Sequence, residues 1–375
     1  MSAILYIGGF ELPDKNAAAH RVISNAKILR DLSYRVIFVD YDAELNDRLA
    51  KKESCSGFER WSVGRSVNRL TDISPINEII EKYGKEIDAV IAYNYPSVAL
   101  ARLKKYLHQK NIKLIADVTE WYGMQGSNPI RRLAKGLDSF TRMRIVQPHL
   151  DGVIVISRFL ESYYQKSLPT IFLPPLVDIE DEKWKVEPEK IDDGRIHIFY
   201  AGTGGKHKDK LNLLIESIAS GLDDKICFHV AGLTKEKYLM LYPEHEKILE
   251  RIDNAVIFRG RIPHIEVIKE LKSCHFSMFY REVTRVTTAG FSTKFAESIS
   301  AGVPVLTNHT GDLKDYLIEG ENGFWIDDIN QGLMRISKSD IRNLCRMSDT
   351  LDKTIFDYRQ YTACTDLFIK GVLGK

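Results

Sequence analysis

The sequence predicts an α/β protein of two doubly wound domains, and three observations carry that expectation. Short apolar runs such as Ala3–Ile7, Asp88–Ala92, Ile196–Tyr200 and Cys227–Ala231 alternate with segments of helical period. Strands that alternate with helices of this length imply right-handed crossovers within parallel sheets. The chain has 375 residues, more than one hydrophobic core usually organises. The alternation breaks once, at Pro174–Pro175 and the acidic, loop-like stretch Ile179–Gly194. Domains are therefore expected over 1–177 and 190–350, with a closing helix near 352–370.

Hydrophobic content of 44% and charged content of 28% describe an ordinary water-soluble globular chain. A net charge of +2 gives no global case for nucleic acid, so that partner class is not expected. The five cysteines are odd in number and lack C-x-x-C spacing, which points to a reduced, cytoplasmic protein. The start M-S-A-I-L-Y-I-G-G has no basic leader region and reads directly as a strand. No apolar run is long enough to span a bilayer, so any membrane contact would be peripheral.

In chain order, Ala3–Ile7 is a strand that ends in Gly8–Gly9, and Asn16 opens a helix with Ala19, Val22, Ile23, Ala26 and Leu29 on one face. The glycine pair lets a ligand approach the backbone, although G-x-G-x-x-G is missing. Val36–Val39 is the next strand, and Tyr41–Asn68 shows no usable pattern. Regular order returns with a helix over Pro75–Tyr83, a strand over Asp88–Ala92, a helix over Pro96–Leu107 and a strand over Lys113–Ala116. Ligands of such sheets sit beyond the carboxyl ends of strands. Tyr93–Asn94–Tyr95 and Asp117–Tyr122 are therefore candidate cleft loops, with the carboxylates Asp117 and Glu120 in the second. The segment 129–147 carries Arg131, Arg132, Lys135, Arg142 and Arg144, interleaved with Leu133, Leu137, Phe140, Ile145 and Val146. A basic amphipathic segment of this kind suits an anionic membrane surface or a lipid-linked phosphate acceptor, and equally a solvated helix packed on its own sheet. Strands over Gly152–Ile156 and Ile171–Leu173 complete this half.

The second half restarts with Ile196–Tyr200, followed directly by A-G-T-G-G-K-H-K-D-K and a helix from about Leu211. Glycine amides and lysines thus converge on one strand end, a phosphate-binding pattern distinct from a Walker A loop. Further strands are Cys227–Ala231, Val256–Phe258 and Phe276–Phe279; Arg261 and Arg281 lie just beyond the second and third. In Ala289–Leu306, Ser292 or Thr293 caps a short helix, Gly302 ends it and Val303–Leu306 forms a strand. Lys294 adds charge at the positive helix end, where an anion is held. Glu297 lies about one turn deeper, too close to phosphate for a second anion and well placed to accept hydrogen bonds from a ribose diol.

The stretch K-F-A-E-S-I-S-A-G-V-P-V resembles the donor site of the retaining, GT-B-fold glycosyltransferases of family four. Many members carry a second Glu where this chain has Ala289; Gly290–Lys294 is closer to a branch reading G-F-P-T-K, with Ser292 for Pro. The resemblance continues through N-A-A-A-H-R-V, D-V-T-E-W-Y, Gly311–Asp312 and Glu321–Phe324. It implies two facing Rossmann-like domains with a cleft between them, the closing helix crossing back to the first. It also implies transfer of a sugar from a nucleoside diphosphate sugar, UDP- or GDP-linked, to a glycan or lipid-linked acceptor in surface polysaccharide or glycoconjugate synthesis. Donor contacts would come from Gly202, Thr203, Gly204, Lys206, Lys208, Arg261, Arg281, Arg285, Thr293, Lys294 and Glu297. Thr203 stands where members commonly have Arg, and Lys208–Asp209 where they have Lys–Gly. Gly8, Gly9, His20 and Tyr95 would lie on the acceptor side, with Glu120, Asp117 and Lys294 catalytic. No D-x-D metal clamp is evident, so neither a metal nor another cofactor is expected. An epimerase or phosphorylase on the same fold, and a catalytically silent sugar-nucleotide-binding subunit, are the alternatives.

Overall fold

The structure, a computed structural model, describes residues 2–121, 129–204 and 209–375. It divides into two compact units: Met1–Val177 with Ala289–Phe291 and Tyr358–Lys375, and Asp178–Thr288 with Ser292–Asp357.

The first unit is built on eight strands: β1 (Ala3–Gly8), β2 (Arg35–Asp42), β3 (Leu49–Cys55), β4 (Phe58–Gly64), β5 (Ile87–Tyr93), β6 (Lys113–Val118), β7 (Gly152–Val155) and β8 (Thr170–Phe172). Their order is β3-β4-β2-β1-β5-β6-β7-β8, parallel throughout except for the antiparallel β3–β4 pair. The strand order reverses between β1 and β5, which makes their carboxyl ends the crevice where such sheets take ligands. The unassigned stretch 41–68 thus contains an edge hairpin, β3–β4. Its turn has two residues, Ser56 and Gly57, both with positive φ (52° and 80°), the combination that matches strand twist. Lys51 and Glu53 charge the exposed edge against further pairing.

Asn16 caps the first helix, Ala17–Asp31, by accepting from the amides of Ala18 and Ala19. The buried face of that helix carries a cation. Arg21 Nη2 donates to Asp117 Oδ1 at 2.7 Å and Nη1 to the Leu173 carbonyl at 2.8 Å, while Tyr6 donates its hydroxyl to Asp117. Asp117 is fully buried. The named catalytic candidate is therefore a brace joining β1, β6, the first helix and the chain leaving β8. The closing helix runs over Thr362–Leu373 rather than from 352, after a single turn at Tyr358–Tyr361. Ile369 and Val372 join Ile4, Ile154 and Ile171 in the core of the first unit.

The second unit holds β9 (Ile196–Ala201), β10 (Ile226–Ala231), β11 (Val256–Gly260), β12 (Phe276–Met278), β13 (Val305–Thr307) and β14 (Gly323–Trp325). All pairs are parallel, in the order β11-β10-β9-β12-β13-β14, so the reversal falls between β9 and β12. The loops after those two strands contain the glycines from 202 onward and Arg281.

Removing the charge of Asp117 leaves Arg21 buried without a counter-ion, which costs on the order of 3–5 kcal/mol. Asp117→Asn is expected to lower the melting temperature clearly in a calorimetric scan. A variant that melts with the parent would show that the brace does not depend on charge.

Candidate active site

In the second unit the site starts from the glycine loop. The Gly202 amide extends the β9–β10 ladder by donating to the Ala231 carbonyl at 2.9 Å. A Cβ at Gly202 would lie 2.7 Å from Tyr200 Oη and 3.1 Å from Lys294 Cε, so only glycine lets this backbone and the lysine stem approach. Thr203 is exposed, Gly204 has φ +63°, and Lys206 and Lys208 lie outside the described residues.

The loop returns to the sheet at Asp209, a buried carboxylate that takes both cations of the site. Arg281 Nε donates to Oδ1 at 2.8 Å, Lys294 Nζ to Oδ2 at 2.7 Å, and the Tyr200 hydroxyl to Oδ2 at 3.0 Å. Burial alone would raise the Asp209 carboxyl, but Lys294 and Arg281 outweigh it and hold the group well below the usual carboxylate range. Lys294 also lies over the Tyr200 ring, 5.2 Å from its centroid. Asn308 fixes the Arg281 backbone from both sides, accepting from its amide at 2.9 Å and donating to its carbonyl at 2.7 Å.

Lys294 belongs to the helix Thr293–Ser300. Capping by side chain was expected here; instead Ser292 occupies the N-cap position in extended conformation and accepts no cap hydrogen bond. Its hydroxyl is buried and has no partner among the described residues. A buried polar atom of that kind calls for a ligand or water partner. Thr293 is half-buried in the first turn, and Glu297 lies a turn on with His264 Nε2 at 3.3 Å from its Oε1. Arg261 and Arg285 are exposed. Gly202, Arg281 and Lys294 are thus gathered around Asp209, with Glu297 one turn along the same helix.

In the first unit, Gly8 is packed so that a Cβ would meet the Phe10 ring at 2.6 Å, while Gly9 is exposed. The turn they open is held by buried Asp40, which accepts from the amides of Phe10 at 2.7 Å and Leu12 at 3.0 Å. His20 is half-buried against Asp14. Tyr95, expected on the acceptor side, is instead buried, its hydroxyl 3.2 Å from that of Tyr41. The loops after β5 and β6 are tied together by Asn94, which donates to Thr119 Oγ1 at 2.6 Å and accepts from the Thr119 amide at 3.2 Å. Glu120 follows directly and is partly exposed; Trp121 packs on Phe159 and Tyr163. Tyr122 lies outside the described residues.

Asp209, Tyr200, Asn308, His264 and Asp40 escaped the sequence reading. Only Asp209 left a signal, as a carboxylate where the resemblance has glycine.

The fold is that of the GT-B glycosyltransferases. The chain is similar to a sucrose-phosphate synthase from Thermosynechococcus elongatus, with TM-score 0.69 and 14% identity over 100% of both chains. It is also similar to the catalytic domain of starch synthase IV from Arabidopsis thaliana bound to ADP and acarbose, with TM-score 0.71 and 10% identity over 100% of this chain and 99% of that one. Anabaena HepE in complex with UDP gives TM-score 0.66 and 13% identity over 99% and 100%. No curated protein matches the sequence. Residues 181–334 match the family Glycosyl transferases group 1, so the second unit carries a domain of that family.

Asp209→Asn removes the shared counter-ion of two half-buried cations, and a loss of roughly 3–5 kcal/mol is expected. Acid has the same effect: a depressed carboxyl contributes stability above its unfolded value, and that stability is lost as pH falls through the lowered one. A melting temperature unchanged by the substitution at neutral pH would remove Asp209 from this role.

Proposed function

We propose that the protein is a retaining glycosyltransferase that moves a sugar from a UDP- or GDP-sugar to a glycan or lipid-linked acceptor, in surface polysaccharide or glycoconjugate synthesis. The observation that carries the donor assignment is the convergence of Lys294, Arg281, the start of the helix Thr293–Ser300 and the unpartnered Ser292 hydroxyl at the carboxyl edge of the second sheet. Negative charge that develops on a departing diphosphate is met there by groups already fixed in position. A divalent ion is not needed for that task, and the assay is run without added Mg²⁺ or Mn²⁺. An absolute requirement for either would return the leaving-group charge to a metal, and a product of inverted anomeric configuration by NMR would refute retention. A nucleoside diphosphate at this site is in keeping with the similarity to HepE and to starch synthase IV, whose structures hold UDP and ADP.

Glu297 is assigned to the ribose hydroxyls, one turn from the phosphates. Glu297→Gln is expected to lower kcat/KM for the donor tenfold or more, about 1.4 kcal/mol per factor of ten, with the fold intact. Unchanged donor kinetics would leave Glu297 a plain partner of His264.

Glu120 is assigned to the acceptor hydroxyl or the reacting face of the sugar. Its partial exposure beyond a strand end supports this, whereas Asp117 is committed to Arg21. Glu120→Gln should depress the transfer rate far more than UDP or GDP affinity. Full transfer by the variant would end the assignment.

We assign the helix Pro129–Thr141 and the turn after it to an anionic lipid surface, and the protein to the inner face of a membrane. Ile130, Leu133 and Leu137 are 78%, 68% and 65% exposed, Phe140 and Ile145 continue the stripe, and Arg132, Lys135 and Arg144 are exposed beside it. Arg142 and Val146, grouped with this face on sequence alone, are instead buried, where the helix widens into a π turn over Arg142–Val146. Among the described residues no helix is long and apolar enough to cross a membrane. Each basic residue near anionic lipid contributes about 1 kcal/mol. Sedimentation with anionic but not neutral vesicles, lost on raising salt, is the expected result; equal recovery in both supernatants would remove the membrane.

A further inference from the structure

A second cluster in this unit lies away from the donor groups. Cys227 of β10 sits beside His197 of β9 in the parallel register, and His229 is two residues on, so the three side chains share one face of the sheet. All three are buried, and one donor atom of each lies within 4.8 Å of the others. That face also carries Glu270, from the helix His264–Ser273.

The outer nitrogens of the two rings are already taken. His197 Nε2 lies 2.8 Å from Asp193 Oδ1, and His229 Nδ1 lies 3.0 Å from Glu270 Oε1. Each carboxylate is itself held by an arginine, Asp193 by Arg195 Nη2 at 2.7 Å and Glu270 by Arg259 Nε at 2.6 Å. Ionised carboxylates accept, so each ring donates its proton outward. With both rings neutral, the inner nitrogens, His197 Nδ1 and His229 Nε2, present lone pairs to each other across 2.8 Å, with the Cys227 sulfur beside them. Two facing lone pairs in a buried site repel unless a cation lies between them.

We propose that His197, Cys227 and His229 form a binding site for a zinc-type transition-metal ion. Two imidazole nitrogens and a thiolate are a borderline-soft set of three donors, which zinc takes in tetrahedral geometry with a water as the fourth ligand and magnesium or calcium does not. Ligand nitrogens about 2.0–2.1 Å from a tetrahedral ion stand about 3.3 Å apart, so the rings need to separate only slightly. The pairs Asp193–His197 and Glu270–His229 supply the carboxylate partners that fix the tautomer and aim of metal-binding histidines.

The ion would tie β9 to β10 near their amino ends. Gly202 lies five residues along from His197, roughly 16 Å at 3.3 Å per residue, so the ion would not touch the donor phosphates. Its role is therefore a staple of the nucleotide-binding unit, and the divalent-free transfer proposed above is a separate matter.

The test uses the full chain. Protein purified from zinc-supplemented cells is expected to carry about one zinc per chain by elemental analysis. Protein refolded with Co²⁺ is expected to show the visible bands of a tetrahedral ion and a near-ultraviolet thiolate-to-cobalt band. In Cys227→Ser the thiolate band disappears while UDP binding persists. His229→Gln, the second variant, lowers metal content at least tenfold and removes the Zn²⁺-dependent rise in melting temperature. Overturning results are folded wild-type protein that holds less than about a tenth of an equivalent and shows no cobalt bands, which would leave a shared proton between the rings, or a thiolate band that survives in Cys227→Ser, which would move the metal to another cysteine.

Discussion

The ion cluster at Asp209 is the constraint on which the second unit's chemistry depends. Lysine and arginine side chains do not hold a common position unaided, because their charges repel and their stems are entropically costly to fix. A buried carboxylate accepting from both, and from the Tyr200 hydroxyl, removes that repulsion and sets their direction. The three groups sum to one positive charge rather than two. For the diphosphate of the proposed donor this is a rigid cation pair at reduced field, to which the helix amides and the Ser292 hydroxyl would add further directed donors.

The two units resolve a similar architectural position in different electrostatic ways. At the carboxyl end of β6 in the first unit, Asp117 meets one cation, Arg21, and both are buried, so the pair is neutral. Burial and the adjacent Asp117 push the Tyr6 phenol well above its ordinary value, so this network adds no titrating charge near neutrality. The buried Arg21–Asp117 pair leaves no net charge at its position, whereas the Asp209 cluster keeps one positive charge, and this difference supports the proposed placing of the donor phosphates in the second unit.

Legibility in the sequence followed burial. Central strands buried on both faces, such as Ala3–Gly8 and Ile226–Ala231, left continuous apolar runs and were readable to within a residue or two. The edge pair β3–β4 was not, because an exposed edge strand such as Leu49–Cys55 is chosen for charge rather than hydrophobicity, and its Ser56–Gly57 turn is a weak signal next to Asn–Gly. At the candidate site, the capping and charge pattern of one short helix singled out Lys294 and Glu297, a turn apart in a local motif. Local patterns could not disclose Asp117's engagement, since Arg21 is 96 residues away, nor the His197–His229 pair, 32 residues apart. Tyr95 shows the same limit: the end-of-strand rule located its loop, but not which way the side chain turns.

The basic helix Pro129–Thr141 illustrates how fixed anchorage can leave an apolar face with nowhere to go. Asp138 accepts from the Ser97 amide at 2.8 Å and so caps the neighbouring helix, while buried Arg142 reaches the Asn94 carbonyl at 3.4 Å. Both contacts lie toward the sheet, and they set the rotation of the helix about its axis. The positions Ile130, Leu133, Leu137 and Phe140 recur at three- and four-residue spacing on the other side, so all four are exposed together. Turning them inward would break the cap and expose a buried guanidinium partner. Each large aliphatic side chain moved out of water would contribute roughly 1.5–3 kcal/mol, so the rotation that maximises local hydrogen bonding forgoes several such gains. An exposed apolar stripe held in place by polar anchors, with exposed Arg132, Lys135 and Arg144 beside it, is the arrangement behind the proposed lipid surface, whose acyl boundary would take the stripe and whose phosphates would take the cations.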